Sequence, residues 1–270
     1  LRARDSEGDV GRGSDRPVTA PRGLREVAAA NLKRAQEALR SIEEVAKGRF
    51  ASLAAEAHRI RFRLYEAERR LADPRLRLQA ARLYVLLDPS VTRRSLARVA
   101  EEAVRGGADL LQLRQKPRVD PGLAKEIRAA CRDALFIVND DPAVALAAGA
   151  DGVHVGLEDV PIRTAKALGV GIVGATTHSL AEARRAKAAG ADYLSCGPMF
   201  ATALKPGLEP RGRSYLAGMK RLGIPFFCIG GITRRNVRPV FGRVAVCAAV
   251  VAAPDVAAAA RAIRRKLLDL

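Results

Sequence analysis

Polar side chains follow several short apolar runs in the second half of the chain, at the point where each run ends. If these runs are neighbouring parallel strands, their carboxyl ends meet at one rim and the polar groups share one site. In chain order the groups are Gln112, Arg114 and Lys116; Asn139 and Asp140; His154, Glu158 and Asp159; Thr176, Thr177 and His178; Thr202 and Lys205; and Gly230 with Gly231.

Two aspartates and three cations of this set suit a diphosphate bound with magnesium. Asp140 and Asp159 supply the carboxylates that Mg²⁺ takes from a protein, while phosphate and water fill the rest of its shell. The cations Arg114, Lys116 and Lys205 can neutralise the diphosphate. The residues therefore predict Mg²⁺ as a cofactor and a diphosphate as a ligand.

A glycine pair in the run CIGGI predicts a second phosphate site. Gly230 and Gly231 let backbone N–H groups approach an anion, and they follow the seventh apolar run, after which barrel enzymes often hold a phosphate. Two such sites imply two phosphorylated small-molecule substrates. No Ser-His-Asp or Cys-His nucleophile stands out among these residues.

The rhythm of the chain from about residue 82 predicts the fold that would bring these groups together. Eight apolar runs alternate with eight helical stretches, which is typical of βαβ units and a parallel sheet. Eight alternations favour a (β/α)₈ TIM barrel. The alternative is a doubly wound sheet, but the G-x-G-x-x-G motif of that fold is absent after the first run. One predicted helix is TRRNVRPVFG, before the last strand. The predicted strands are residues 83–87, 110–114, 135–139, 152–155, 171–177, 193–198, 225–232 and 244–251.

The first 80 residues show other patterns. The opening segment mixes glycine, proline, serine and charge, as in a disordered tail. Residues 24–72 have apolar side chains at helical spacing and predict two amphipathic helices that meet near Gly48 and end at Asp73-Pro74. We expect this pair to pack on the barrel or across a homodimer interface, because it is too short to bury its apolar stripe alone. The expected regions are a tail over 1–22, a helical extension over 23–80 and a catalytic barrel over 81–270.

Composition argues against several classes of protein. Hydrophobic residues make up 49% of the 270, which is enough for a sizeable core. No apolar run predicts a membrane span or an export signal, so we expect a cytoplasmic protein. The net charge of +18 is spread along the chain and there is no Trp, so nucleic acid is not the expected partner. Cys131, Cys196, Cys228 and Cys247 lie in apolar runs and read as core residues. The start at Leu1 is consistent with a fragment or an unusual start.

The barrel region resembles the thiamine phosphate synthase family over nearly all of residues 83–251. The resemblance rests on five runs in this order: QLRQK, IVNDDPAVALAAGADGVHVGLEDVP, GATTHSLAEA, ADYLSCGPMFATALKPG and IPFFCIGGIT. The N-terminal AANLKRAQEALRSIEEVAKGRF is similar to a helical extension of some bacterial members. Members of this family join hydroxymethylpyrimidine diphosphate to thiazole phosphate, which gives thiamine phosphate and diphosphate. The resemblance therefore implies a transferase of thiamine biosynthesis.

The resemblance also implies roles for individual residues. Magnesium would be held by Asp140 and Asp159. The pyrimidine would meet Gln112, and the thiazole partner would face Thr202 and the backbone of Gly230 and Gly231. The diphosphate would be bound by Arg114, Lys116, Asn139, Thr176 and Lys205.

The sequence departs from the family pattern at four places. Thr176 replaces the usual serine but keeps a hydroxyl, and Leu157 replaces a polar residue before Glu158 and Asp159. Leu204 replaces the second threonine of a T-x-T-K run, and the last strand, VAVCAAVV, lacks the serine that usually faces the thiazole phosphate. The last two departures concern the thiazole end of the site.

Other interpretations of the same residues stay open at this level. THSLAEA and KPGLEPRG also resemble a thiazole tautomerase, in which a histidine at the position of His178 would shuttle a proton. Asp159 favours the synthase, because the tautomerase has no use for that carboxylate. A non-catalytic phosphate-binding barrel is a further alternative. Taken singly, Asp140 and Asp159 could cap the helices that follow them, His154 could be a hydrogen-bonded core histidine, and the glycine pair could only make a turn.

Overall fold

A computed structural model of the chain describes residues 24–202, 209–211, 213–238 and 241–268. The expected tail over 1–22, together with Leu204 and Lys205, lies outside the described residues. The chain divides into two compact units, Leu1–Glu68 and Arg69–Leu270. The second unit thus begins earlier in the chain than the expected start of the barrel at residue 81. Among the described helices, none combines the length and apolar composition of a membrane span.

The described part of the first unit belongs to a helical hairpin with a polar interface. Helix α1 spans Leu24–Ala46 and α2 spans Ala51–Ala72, so the two predicted helices and the turn near Gly48 are confirmed. The buried Gln36 donates a hydrogen bond to Glu68 at 2.8 Å, and the buried Glu43 accepts one from Arg61 at 2.8 Å. Ion pairs as well as small apolar residues therefore hold the hairpin together. Its expected packing on the barrel or in a homodimer stays a prediction.

The second unit is a closed barrel of eight parallel strands, which confirms the predicted TIM barrel. Each strand pairs with the next in sequence, and β1 pairs with β8 to close the sheet. The strands are β1 Leu83–Leu87, β2 Leu110–Leu113, β3 Leu135–Asn139, β4 Gly152–Val155, β5 Ile172–Ala175, β6 Tyr193–Cys196, β7 Phe226–Ile229 and β8 Val244–Val246. The remaining helices are α3 Pro74–Ala80, α4 Leu96–Arg105, α5 Pro121–Ala130, α6 Pro142–Ala147, α7 Ile162–Ala167, α8 Leu180–Ala188, α9 Arg213–Arg221, α10 Ala248–Val251 and α11 Val256–Leu268.

Alternation along the strands decides which side chains can reach a site inside the barrel. Leu111 and Leu113 of β2 belong to the outer core between strands and helices, so Gln112 between them points into the barrel. The same alternation turns His154 of β4 and Ser195 of β6 inward, because their neighbours lie in the outer core. Polar residues in otherwise apolar strands are therefore directed to the interior.

Helix α3 covers the amino-terminal end of the barrel. Asp73 caps it by accepting a hydrogen bond from the Arg75 N–H at 2.8 Å, and Pro74 occupies its first turn. Leu78 is 2% exposed and packs with Tyr84 and Leu110 in the inner core. Helix α3 thus fills the amino-terminal end of the barrel, and the carboxyl-terminal end is left for ligands.

Two sequence predictions at the end of the barrel were wrong. The last strand was expected to reach Val251, but β8 stops at Val246 and α10 follows after Cys247. The predicted helix TRRNVRPVFG is not formed: the described part is a turn in which the Thr233 N–H donates to the Asn236 side chain at 2.7 Å. Side-chain hydrogen bonds of this kind compete with a helix.

Aspartates that precede or begin strands at the amino end hold the barrel together. Asp151 accepts hydrogen bonds from the Phe136 N–H at 2.9 Å and from Arg128 at 3.2 Å. Asp192 does the same for the Val173 N–H, at 2.7 Å, and for Lys166. Each of these carboxylates therefore joins a strand terminus to a cation and has a structural role.

Candidate active site

The carboxyl ends of the strands surround a cavity of about 260 Å³. Most of its lining consists of strand-end side chains and of the loops that follow β6, β7 and β8. Seven of the residues predicted from sequence meet there: Gln112, Arg114, Asn139, Thr176, Thr202, Gly230 and Gly231. His154, His178 and Ser195 line it as well. Residues from all eight strands or strand ends are thus brought into one concave site.

The two aspartates predicted as magnesium ligands adjoin each other beside this cavity. Asp140 follows the cavity residue Asn139, and its backbone N–H donates to the His154 carbonyl at 2.8 Å. Its side chain is close enough to Asp159 for a hydrogen bond between the carboxyl groups, and it is ion-paired with Lys116. Asp140, Asp159 and Lys116 therefore form one cluster, although none of the three is part of the cavity lining.

The pKa values of the two carboxyl groups are shifted in opposite directions. Burial and the neighbouring Asp159 raise the pKa of Asp140, and Lys116 offsets only part of this effect. Burial acts in the same direction on Asp159, but its hydrogen bonds with Asp140 and with the Gly156 N–H, the latter at 2.7 Å, hold its pKa below the usual range. Two carboxylates at this separation repel each other when both are ionised, and a cation between them would relieve the repulsion.

Neither aspartate is a helix cap. The N-cap of α6 is Asp141, whose side chain accepts from the Val144 N–H at 2.9 Å, while Asp140 has a left-handed backbone with φ 63°. The N-cap of α7 is Pro161, which makes no side-chain capping bond. The capping interpretation of Asp140 and Asp159 was therefore wrong, and their side chains are available to the site.

The sequence reading missed Asp88, which follows β1. This buried carboxylate is ion-paired with Arg114, and it accepts hydrogen bonds from the backbone and hydroxyl of Ser90 at 2.9 and 2.6 Å. Burial alone would raise the pKa of Asp88, but the bonds from Ser90 and Arg114 outweigh it and lower the pKa. Asp88 thus fixes the Arg114 guanidinium at the cavity wall. Its position after the run LYVLL was the available signal.

Hydrogen-bonded side chains form the floor of the cavity. Gln112 is 2% exposed and donates from Nε2 to the Tyr84 hydroxyl, which lies 2.9 Å from the Tyr193 hydroxyl. His154 places Nδ1 3.1 Å from the same Tyr193 hydroxyl and Nε2 3.0 Å from Thr176 Oγ1. His154 is buried and hydrogen-bonded as expected, but it also lines the cavity.

The end of β5 places one threonine in the cavity and the next in the core. Thr176 lines the cavity, whereas Thr177 is 1% exposed and donates to the Ser195 carbonyl at 2.7 Å. His178 lies on the cavity wall with Nδ1 3.4 Å from the Gly197 carbonyl oxygen. Its backbone N–H donates to Glu182 at 2.7 Å, which fixes the entry to α8.

The glycine pair lines the cavity and also permits a close approach of two loops. Gly230 and Gly231 have φ of 98° and 61°, a region that favours glycine. A Cβ at Gly230 would lie 2.6 Å from Pro198 Cβ, and one at Gly231 would lie 2.4 Å from the Ala201 carbonyl oxygen. The pair is therefore required by the loop after β6, whether or not a phosphate binds.

The part of the lining that follows β8 is apolar. Val246, Cys247, Ala248 and Ala249 follow one another there, and burial raises the pKa of the Cys247 thiol to about 12. No hydroxyl is contributed by these four residues. Lys205, the third predicted cation, lies outside the described residues.

A closed parallel barrel with a cavity at the carboxyl ends of its strands defines a (β/α)₈-barrel enzyme. Residues 83–253 match the thiamine monophosphate synthase family, and residues 1–70 match the ThiD2 family. The chain therefore belongs to the thiamine monophosphate synthase family, as the resemblance of its motifs implied.

Individual relatives agree with this assignment. The chain is 42% identical to the thiamine-phosphate synthase of Gloeobacter violaceus, over 94% of this chain and 78% of that protein. It is 39% identical to the thiamine-phosphate synthase of Thermosynechococcus vestitus, over 98% and 80% respectively. Among solved structures it is similar to a thiamine phosphate pyrophosphorylase from Pyrococcus furiosus, with 36% identity, a TM-score of 0.64 and coverage of 72% of this chain and 98% of that one.

Proposed function

We propose that the cavity joins hydroxymethylpyrimidine diphosphate to thiazole phosphate in a magnesium-dependent reaction, with the residues at the strand ends in the roles given below. The transferase activity in thiamine biosynthesis follows from the family and its relatives. The observation that carries the residue assignment is the convergence of Asp140, Asp159, Lys116 and Arg114 beside one cavity.

The donor set suits a magnesium ion. Asp140 and Asp159 are adjacent carboxylates whose mutual repulsion a divalent cation would offset, and magnesium takes the rest of its ligands from phosphate and water. Among the described residues, no group of three or more His, Cys, Asp or Glu side chains that could hold a metal ion occurs. When bound, the metal would supply positive charge to the diphosphate oxygens.

The remaining polar groups are positioned to bind the diphosphate and to stabilise its departure. Arg114 is held by Asp88 at the cavity wall, Asn139 presents an amide and Thr176 a hydroxyl to the cavity, and Lys116 lies beside Asp140. As the bond from the pyrimidine methylene to oxygen breaks, negative charge grows on the leaving group, where these fixed donors act. We assign Lys205 to the same task by resemblance.

The two heterocycles are assigned to different parts of the cavity. Gln112 of β2, on the floor of the cavity, can hydrogen-bond the pyrimidine. Across the barrel, Thr202 follows β6 and the glycine pair Gly230 and Gly231 follows β7, and these groups suit the thiazole phosphate. Holding the thiazole nitrogen in line with the methylene carbon then supplies the alignment that the reaction needs.

A matched pair of variants tests the metal assignment. Purified protein incubated with both substrates and Mg²⁺ should form thiamine phosphate and diphosphate in equal amounts, and chelation should stop the reaction until Mg²⁺ is restored. We expect Asp159→Asn to lower kcat by about 100-fold, because it removes a ligand charge while keeping an acceptor for the Gly156 N–H. Unchanged magnesium dependence in Asp159→Asn would contradict the assignment.

His178 provides the control, because it would be essential in the tautomerase alternative. His178→Ala removes the imidazole from the cavity wall but leaves the backbone bond to Glu182. We expect diphosphate release in this variant to stay within about threefold of the parent, a change of under 1 kcal/mol in the barrier. A selective loss of activity in His178→Ala, with Asp159→Asn active, would favour the tautomerase.

A further inference from the structure

We propose that five side chains on the cavity floor form a one-way hydrogen-bond chain that fixes the tautomer of His154 and thereby orients the Thr176 hydroxyl as a donor. The chain runs from Gln112 through Tyr84, Tyr193 and His154 to Thr176, across strands β2, β1, β6 and β4 to the end of β5. His154 is then a positioning residue that acts through Thr176.

We take the direction of this hydrogen-bond chain from its first member. The Gln112 Nε2 amino group can only donate, so the Tyr84 oxygen accepts this bond. Tyr84 has a single hydroxyl hydrogen, and the Tyr193 oxygen lies 2.9 Å away to receive it. With this direction, the Tyr193 hydrogen points to His154 Nδ1, which lies 3.1 Å from the hydroxyl oxygen.

The tautomer of His154 follows from this direction. A nitrogen that accepts a hydrogen bond carries no proton, so neutral His154 is protonated on Nε2. Nε2 lies 3.0 Å from Thr176 Oγ1 and donates to it. The Thr176 oxygen is therefore an acceptor within the chain, and its own hydrogen is directed to the cavity that it lines.

The two ends of this hydrogen-bond chain face the ligand cavity, one as an acceptor and the other as a donor. Because Gln112 uses Nε2 for Tyr84, its Oε1 is left as an acceptor, which suits the amino group of a pyrimidine. Thr176 at the other end offers a donor, which suits a diphosphate oxygen. This consequence for ligands rests on the proposed function, whereas the hydrogen-bond direction itself does not.

Tyr84 and Tyr193, in the middle of the hydrogen-bond chain, are suited to act as neutral donors. Tyr84 and Tyr193 are 2% and 0% exposed, and burial raises the pKa of both hydroxyls well above the ordinary value. Both therefore keep their hydrogens at neutral pH. Their rings pack edge to face with centroids 5.9 Å apart, which fixes the positions of the two hydroxyl oxygens relative to each other.

Nitrogen NMR of the substrate-free protein tests the direction without reference to activity. The chain contains three histidines, so ¹⁵N-histidine labelling gives few signals, and His154→Gln identifies those of His154. We expect a proton on Nε2 and a bare Nδ1 that accepts a hydrogen bond. A proton on Nδ1, or on both nitrogens at neutral pH, would overturn the proposal.

The conservative Tyr193→Phe variant tests whether the chain acts on the ring. It keeps the aromatic packing and removes only the hydroxyl between Tyr84 and His154. We expect the Nδ1 resonance to move toward that of a nitrogen that accepts no hydrogen bond. An unmoved Nδ1 resonance would overturn the proposal, whatever the variant does to catalysis.

Two substitutions of His154 separate positioning from general support of the fold. The amide of His154→Gln reaches the region of Nε2 and can still donate to Thr176, whereas that of His154→Asn reaches only the region of Nδ1. With inorganic diphosphate and Mg²⁺ as the probe in calorimetry, we expect Kd to rise about tenfold in Asn and less than threefold in Gln, as loss of one hydrogen bond to an anion predicts. Equal affinities in the two variants would overturn the role of Thr176, even where the NMR result holds.

Discussion

The two ends of the barrel both carry aspartates paired with cations, but the carboxylates are used differently. At the amino end, Asp151 and Asp192 each accept a hydrogen bond from a strand N–H. Asp151 also pairs with Arg128, and Asp192 pairs with Lys166 and Arg75, so the contacts of both carboxylates stabilise the fold. At the carboxyl end, Asp140 and Asp159 lie against each other, and Lys116 is the cation paired with Asp140.

The contrast shows that a buried aspartate is not in itself a sign of function. Asp140 and Asp159 are distinguished by the proximity of their two carboxylates, which repel each other when both are ionised. Asp88 lies between these cases. It is satisfied like an amino-end aspartate, yet its partner Arg114 lines the cavity.

The largest effect on stability is expected at the amino end. Asp151→Ala strands the Phe136 N–H at a buried strand terminus and leaves Arg128 without this partner. We expect the free energy of unfolding to fall by about 1–3 kcal/mol, the cost of a buried donor without an acceptor. Denaturant unfolding followed by circular dichroism measures it.

The isosteric Asp151→Asn serves as the control for this change. Its amide oxygen can still accept from the Phe136 N–H, so we expect it to recover much of the lost stability. Activity per folded molecule should match the parent in both variants, because Asp151 lies at the end of the barrel opposite the cavity. A catalytic defect in Asp151→Asn would break the distinction between the two ends.

A smaller effect, on activity rather than on stability, is expected from a substitution of Asp88. Asp88→Asn weakens the hold on Arg114 but keeps an acceptor for Ser90, so kcat/KM should fall about tenfold, or about 1.4 kcal/mol, with little change in stability. The lowered pKa of Asp88 gives the sign of a pH test. Its contribution to stability is present above the ordinary carboxyl range and is lost as pH falls through the lower folded value. A stability loss larger than the activity loss would place Asp88 with the structural aspartates.

Much of the site could be predicted because polar residues that end apolar strands have few structural uses. Asn139 and Thr176 were found in this way, and the alternation of β2 turns Gln112 inward as its spacing requires. His154 was harder to interpret, because a histidine inside an apolar strand looks the same in sequence whether it faces the outer core or the cavity. Only the closure of the barrel decides between these two.

The errors occurred where local sequence fits two conformations. The run VAVCAAVV is apolar throughout and rich in alanine, so nothing in it marks the change from β8 to α10 at Cys247. In TRRNVRPVFG, the side chains of Thr233 and Asn236 make a turn instead of a helix, and Asn236 also donates to the Gly231 carbonyl at 2.8 Å. In this segment, local side-chain hydrogen bonds therefore outweigh the helical spacing of the apolar residues.

The smallest effect is expected from removing the cation at the amino end instead of the carboxylate. Arg128→Met keeps an apolar stem of similar length, and Asp151 still accepts from the Phe136 N–H. Since the Arg128 side chain is 26% exposed and its ion pair spans 3.2 Å, we expect a loss below about 1 kcal/mol that shrinks further at high salt. Denaturant unfolding of Arg128→Met and Asp151→Ala side by side, at low and high salt, measures both terms. If Arg128→Met lowers the free energy of unfolding as much as Asp151→Ala does, the ion pair rather than the strand N–H determines stability at this end. The Asp151–Arg128 and Asp88–Arg114 pairs would then differ only in which of the two cations lines the cavity.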